Sequence, residues 1–140
     1  MDISDLEQRL RLVQDQDEAD VVFSLGEIVA DLEDSDLGLA SVQPILRFLE
    51  SHPTLDVGCP GPLVHHVEKF YRSGYEAELL ASLQRRPTAH TVWMLNRVIN
   101  GTKEPVEREK LMVALKQAGE HPEADDEVVR AVQSFLDHQG

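Results

Sequence analysis

An all-α fold of about eight short helices, arranged as antiparallel pairs in a HEAT/armadillo-like solenoid or a compact helical bundle, is what this sequence predicts. Hydrophobic positions recur at intervals of three and four along nearly the whole chain. No segment of strand length alternates apolar and polar residues. Glycine and proline punctuate the periodic runs at short intervals, leaving tight connections.

Leu6, Leu10 and Val13 mark the first helix, with Ser4 in position to cap it. Val21, Val22, Leu25, Ile28, Val29 and Leu32 mark the second. Val42, Ile45, Leu46 and Leu49 define a third that opens near Ser41, where Pro44 is still tolerable in the first turn. The segment SHPTLDVGCPGP cannot hold regular structure, and Pro62 is set to start a fourth helix through Leu63, Val64, Val67 and Phe70, closed by Ser73-Gly74. Leu79, Leu80 and Leu83 make a fifth. Pro87-Thr88 breaks and recaps the chain before a sixth through Val92, Leu95 and Ile99, which ends at Asn100-Gly101. A seventh begins near Pro105 with Leu111, Met112, Leu115 and Ala118, and the eighth runs through Val128, Val129, Val132, Phe135 and Leu136. At 140 residues, 41% hydrophobic and 28% charged, the chain reads as a single folded domain over 1–140.

Charge is the second strong signal. The net formal charge is −13, and its distribution is −11 over residues 1–60, +2 over 61–100 and −4 over 101–140. Nucleic-acid binding needs lysine and arginine to displace counterions, so direct DNA or RNA binding is not expected. A basic protein partner is, because an acidic surface steers cations toward it. The stretch DQDEADVVFSLGEIVADLEDSD, residues 15–36, holds nine carboxylates and no lysine or arginine. At about 100° per residue, Asp17, Asp20, Ser24, Glu27, Asp31 and Asp34 fall on one stripe, with Val21, Leu25, Ile28, Val29 and Leu32 on another. The acids are the candidate partner-binding residues. A face that only solubilises the protein is the competing reading.

Other chemistries find little support. Asp15, Asp17 and Ala19 break the calcium-loop pattern at the third ligand, and the adjacent His65 and His66 point about 100° apart on a helix, so no metal site is expected. A lone Cys59 offers neither a disulfide nor a zinc set. No nucleophile elbow or metalloprotease motif is present, so neither enzymatic activity nor a cofactor is expected. The absence of a secretory pattern in MDISDLEQRL and of a long apolar run points to a cytoplasmic protein without a membrane span.

The sixth helix, TAHTVWMLNRVING, carries Val92, Trp93, Met94, Leu95, Val98 and Ile99 around most of its circumference. Asn96 and Arg97 then require partners inside a packed region. A buried guanidinium demands a carboxylate, and Glu68 is the preferred one, giving a structural Glu68–Arg97 ion pair; a ligand site is the other reading of the same residues.

The run from Gly61-Pro62-Leu63-Val64-His65 through Glu68, Tyr75, Leu79, Leu80, Ser82 and Leu83 to Arg86-Pro87-Thr88, Thr91-Val92-Trp93-Met94-Leu95-Asn96-Arg97 and Asn100 resembles small α-helical immunity proteins encoded beside bacterial polymorphic toxins. The similarity covers the middle third of the chain and excludes the acidic first third. It implies a cytoplasmic bacterial protein that binds and blocks one cognate toxin domain, often a nuclease, and it carries over no binding residues. A helical-repeat scaffold or adaptor without inhibitory activity is the alternative.

Overall fold

The computed structural model describes residues 1–139, in which eight α-helices occur in contacting pairs and no strand is present among the described residues. They are α1 (Ile3–Val13), α2 (Glu18–Glu33), α3 (Val42–Ser51), α4 (Gly61–Glu68), α5 (Tyr75–Arg85), α6 (Ala89–Gly101), α7 (Pro105–Gly119) and α8 (Asp126–Gln139). A 3₁₀ turn, Gly38–Ser41, precedes α3 and was not expected from the periodicity. Its four residues are too few to show a hydrophobic repeat. The chain divides into two compact units, Met1–Glu78 and Leu79–Gly140, with the boundary inside α5.

In the first unit α1 packs on α2 and α3, and α2 packs on α4. Leu6, Leu25, Ile45, Leu46, Leu49 and Leu63 are fully buried, each contributing about 1.5–3 kcal/mol relative to exposure. The cap of α1 differs from expectation. Asp2, not Ser4, is the N-cap; it accepts from Asp5 N at 2.8 Å while Asp5 Oδ2 accepts from Asp2 N at 3.1 Å. This reciprocal box satisfies two backbone donors, which a serine already inside the first turn cannot do.

The fourth helix is also shorter than its hydrophobic pattern. It ends at Glu68, and Phe70 lies in the turn that follows. Arg72 (φ 64°) and Gly74 (φ 117°) both take left-handed backbone conformations there. Arg72 N is held by the Glu76 carboxylate at 2.9 and 3.0 Å, and a Cβ at Gly74 would meet Leu39 Cδ2 at 2.7 Å. Phe70 keeps its apolar role by standing edge-on to His66, 5.6 Å between ring centres.

In the second unit α6, α7 and α8 contact one another pairwise. Thr88 caps α6 as the Pro87-Thr88 break predicts, its Oγ1 accepting from Thr91 N at 3.2 Å and its own N–H donating to Thr91 Oγ1 at 3.0 Å. Glu104 caps α7 just ahead of Pro105, accepting from Val106 N and Glu107 N. Arg108 donates to the Ile99 carbonyl at the end of α6 and to Gln139 Oε1, whose amide in turn donates to Asn96 Oδ1 at 2.8 Å and Asn100 Oδ1 at 2.6 Å. Asn96 thus finds its partner on α8. α7 and α8 approach closely at Gly119, where a Cβ would stand 2.9 Å from Val132 Cγ1.

Candidate partner-binding surface

The acidic ridge lies on α2. Val21, Leu25, Ile28, Val29 and Leu32 are buried, and Asp17, Asp20, Glu27, Asp31 and Asp34 are all exposed. Helical geometry alone separates the two sets, since their positions differ by about a quarter to a half turn. Asp17 is the N-cap in extended conformation but makes no side-chain capping bond, so its carboxylate stays in solvent. Glu18 and Asp20 sit in the first turn, where the helix dipole favours them. Asp34 is the C-cap, and the last turn holds no basic residue. There the dipole opposes negative charge.

The five acids are not equivalent. Asp31 receives Arg9 Nη1 of α1 at 2.6 Å. Glu33, off the ridge, is paired with Lys69, which holds its carboxyl below the usual carboxylate range through a hydrogen bond and the adjacent charge. Among the described residues, Asp17, Asp20, Glu27 and Asp34 have no cation within ion-pair distance. A cleft of ≈ 500 Å³ opens at the far end of the ridge, lined by Asp5, Gln8, Arg9, Asp31, Asp34 and Ser35. It sets three carboxylates around one guanidinium.

Two features of α2 escape the charge pattern. Phe23 is 71% exposed, and Val22 beside it is 37% exposed. Phe23 falls outside the three-and-four spacing of the buried set, and that register break was the available signal. Gly26, in mid-helix, is the other: a Cβ there would meet nothing within 4 Å.

The residues of the expected ion pair lie in different units, Glu68 at the end of α4 and Arg97 on α6. Both are half-buried, not buried. The full desolvation that would make a carboxylate obligatory for Arg97 therefore does not apply. Its guanidinium lies over the Trp93 ring, 5.2 Å from the centroid, a cation–π arrangement that suits a partly hydrated arginine. Trp93 is itself half-buried, so α6 is less completely enclosed than its composition predicts.

Ser41 and His66 form a hydroxyl–imidazole contact, Oγ to Nε2 at 2.8 Å. Ser41 is 0% exposed and its Oγ donates to the Gly38 carbonyl at 2.7 Å. The hydroxyl proton is therefore committed, Nε2–H donates to Oγ, and no substrate atom reaches the pair. It ties the 3₁₀ turn to α4. His66 Nδ1 is buried without a hydrogen-bond partner, and burial, aided by the Lys69 charge, lowers the pKa of this imidazole.

Among the described residues no three His, Cys, Asp or Glu side chains cluster so as to hold a metal ion, and no helix is long and apolar enough to cross a membrane. Cys59 is an exposed free thiol. Comparisons with protein-family models, curated proteins and solved structures return no match to this chain. What fold and surface define is an all-α protein with one strongly acidic helix face.

Proposed function

We propose that this protein is an immunity-type inhibitor of a bacterial cell's cytoplasm, which binds a cognate toxin domain by laying the acidic face of α2 on a basic surface of it. The observation that supports this most is the set Asp17, Asp20, Glu27 and Asp34, exposed on one helix face with no internal cation among the described residues. Glu27 and Asp34 lie beyond the first turn, so the dipole does not explain them, and like charges at helical spacing cost a few tenths of a kcal/mol per pair. A nuclease that grips phosphates supplies the complementary basic cleft.

The test uses the product of the gene beside this one and measures association kinetics across ionic strength. Asp31 balances Arg9, so charge reversal is better placed at Asp20→Lys and Glu27→Lys, which leave that pair intact. Association by the wild type is expected to be fast at low salt and to slow as the Debye length shortens to about 8 Å at 0.15 M. The double variant is expected to lose about tenfold or more in kon while keeping its helical spectrum. Equal rates for both proteins would leave the ridge a solvating face and favour the scaffold reading.

A further inference from the structure

Beside the acids, α2 presents a second exposed stripe. Ala19, Phe23, Gly26 and Ala30 fall at i, i+4, i+7 and i+11, so they share a face, and that face adjoins the acidic stripe on the side away from the buried residues. Ala19 and Ala30 are exposed and Gly26 is half-exposed. The ring of Phe23, 71% exposed, therefore stands above neighbours too small to cover it. Gly26 has no internal reason to be glycine. Gly74 and Gly119 are crowded by Leu39 and Val132, but a Cβ at Gly26 has open space. Glycine is a poor helix former, and with no contact to relieve, its remaining use is to let another backbone come close.

We infer that the α2 stripe is a docking site for a helix of a basic protein, with Phe23 inserted into that helix's apolar stripe, Gly26 allowing close backbone approach, and Asp20 and Glu27 meeting the lysines or arginines that flank the stripe. Charge selects this occupant. A second copy of the same chain laid along α2 would set one acidic ridge beside another, which like-charge repulsion opposes. A rigid aromatic with a charged rim is also how binding energy concentrates at protein interfaces. The inference rests on the binding role proposed for the ridge and adds the shape and chemistry of the partner's contact element.

The probes are a synthetic amphipathic helical peptide of leucine and lysine, leucines on one face, and an oligolysine of equal charge. Affinity is read by fluorescence anisotropy and the contact surface by amide chemical-shift mapping on the full chain. Shifts from the leucine–lysine peptide are expected to centre on residues 19–30. Phe23→Ser and Gly26→Leu are each expected to weaken that peptide by about tenfold, as loss of a central anchor does, and to leave oligolysine unaffected. Asp20→Lys with Glu27→Lys is expected to weaken both probes. If Phe23→Ser and Gly26→Leu both bind the leucine–lysine peptide like wild type, or the shifts centre on the exposed Val106 and Val113 of α7, the docking inference is overturned while the charge reading stands. If charge reversal changes neither probe, the acidic surface itself is not a binding site. A concentration-dependent dimer that Phe23→Ser abolishes would make the occupant a second copy and overturn the inference.

Discussion

The two units share helical architecture but differ in charge: residues 1–78 hold 17 acids against five bases, net −12, and residues 79–140 hold nine against eight, net −1. Both bury aliphatic side chains completely, Leu25 and Leu46 in the first and Leu95 and Leu115 in the second. Both cap their helices by side chain, with Asp2 in one and Thr88 in the other. The acidity of the first unit is therefore no requirement of building helices around an aliphatic core. It belongs to the surface, and the second unit shows how nearly neutral such a surface can be.

The sharpest way to break this comparison is to truncate each core. Leu25→Ala and Leu115→Ala, both at 0% exposure, are each expected to cost about 2–5 kcal/mol, measured by urea unfolding. A cost under about 1 kcal/mol at either site would show that the two interiors are not equivalently packed and that charge is not their main difference.

Glycines sharpen it at the next level. Gly119→Ala forces a methyl toward Val132 between α7 and α8, and Gly74→Ala strains a left-handed backbone against Leu39. Each is expected to destabilise by about 1–3 kcal/mol. Gly26→Ala is expected to stabilise by about 1 kcal/mol, since it meets nothing and removes a helix-weakening residue. A loss of stability on thermal unfolding of Gly26→Ala would reveal a structural need for that glycine and remove the ground for reading it as a contact.

The third prediction probes the first unit by pH. His66 is buried and its pKa is lowered by desolvation first and by Lys69 second, with Glu33 opposing weakly. A depressed imidazole pKa means that the unfolded chain takes up the proton first. Its contribution to stability is thus present above the unfolded value of about 6.5 and is lost as pH falls through the folded one. One proton limits the slope to about 1.4 kcal/mol per pH unit. His66→Gln is expected to flatten the decline between pH 7 and the folded pKa, as followed by urea unfolding at successive pH values. An unchanged decline would assign the acid sensitivity elsewhere.

Much of this was legible in the residues. A helix is a local object, so the spacing of apolar positions in α2 placed Leu25 inside and Glu27 outside before any tertiary contact was known. The Thr88 cap and the start of α7 at Pro105 followed from equally local chemistry. What failed did so where two local signals competed. Ser4 with Glu7 and Asp2 with Asp5 both have the spacing of a capping box, and the structure closes the one made by Asp2 and Asp5. Phe70 continued the hydrophobic pattern of α4, yet the backbone had already turned.

By itself the sequence determined the fold class, the faces of the helices and the concentration of charge in the first third, because all three depend on residue type and on spacings within a few turns. Only the tertiary structure decided which charges are answered. Arg9 reaches Asp31 across 22 positions and Lys69 reaches Glu33 across 36, and no periodicity encodes such distances. It also decided that Gly74 and Gly119 are crowded and Gly26 is not. In the sequence these are the same residue; the difference lies in what packs against each, which is fixed only when distant segments meet.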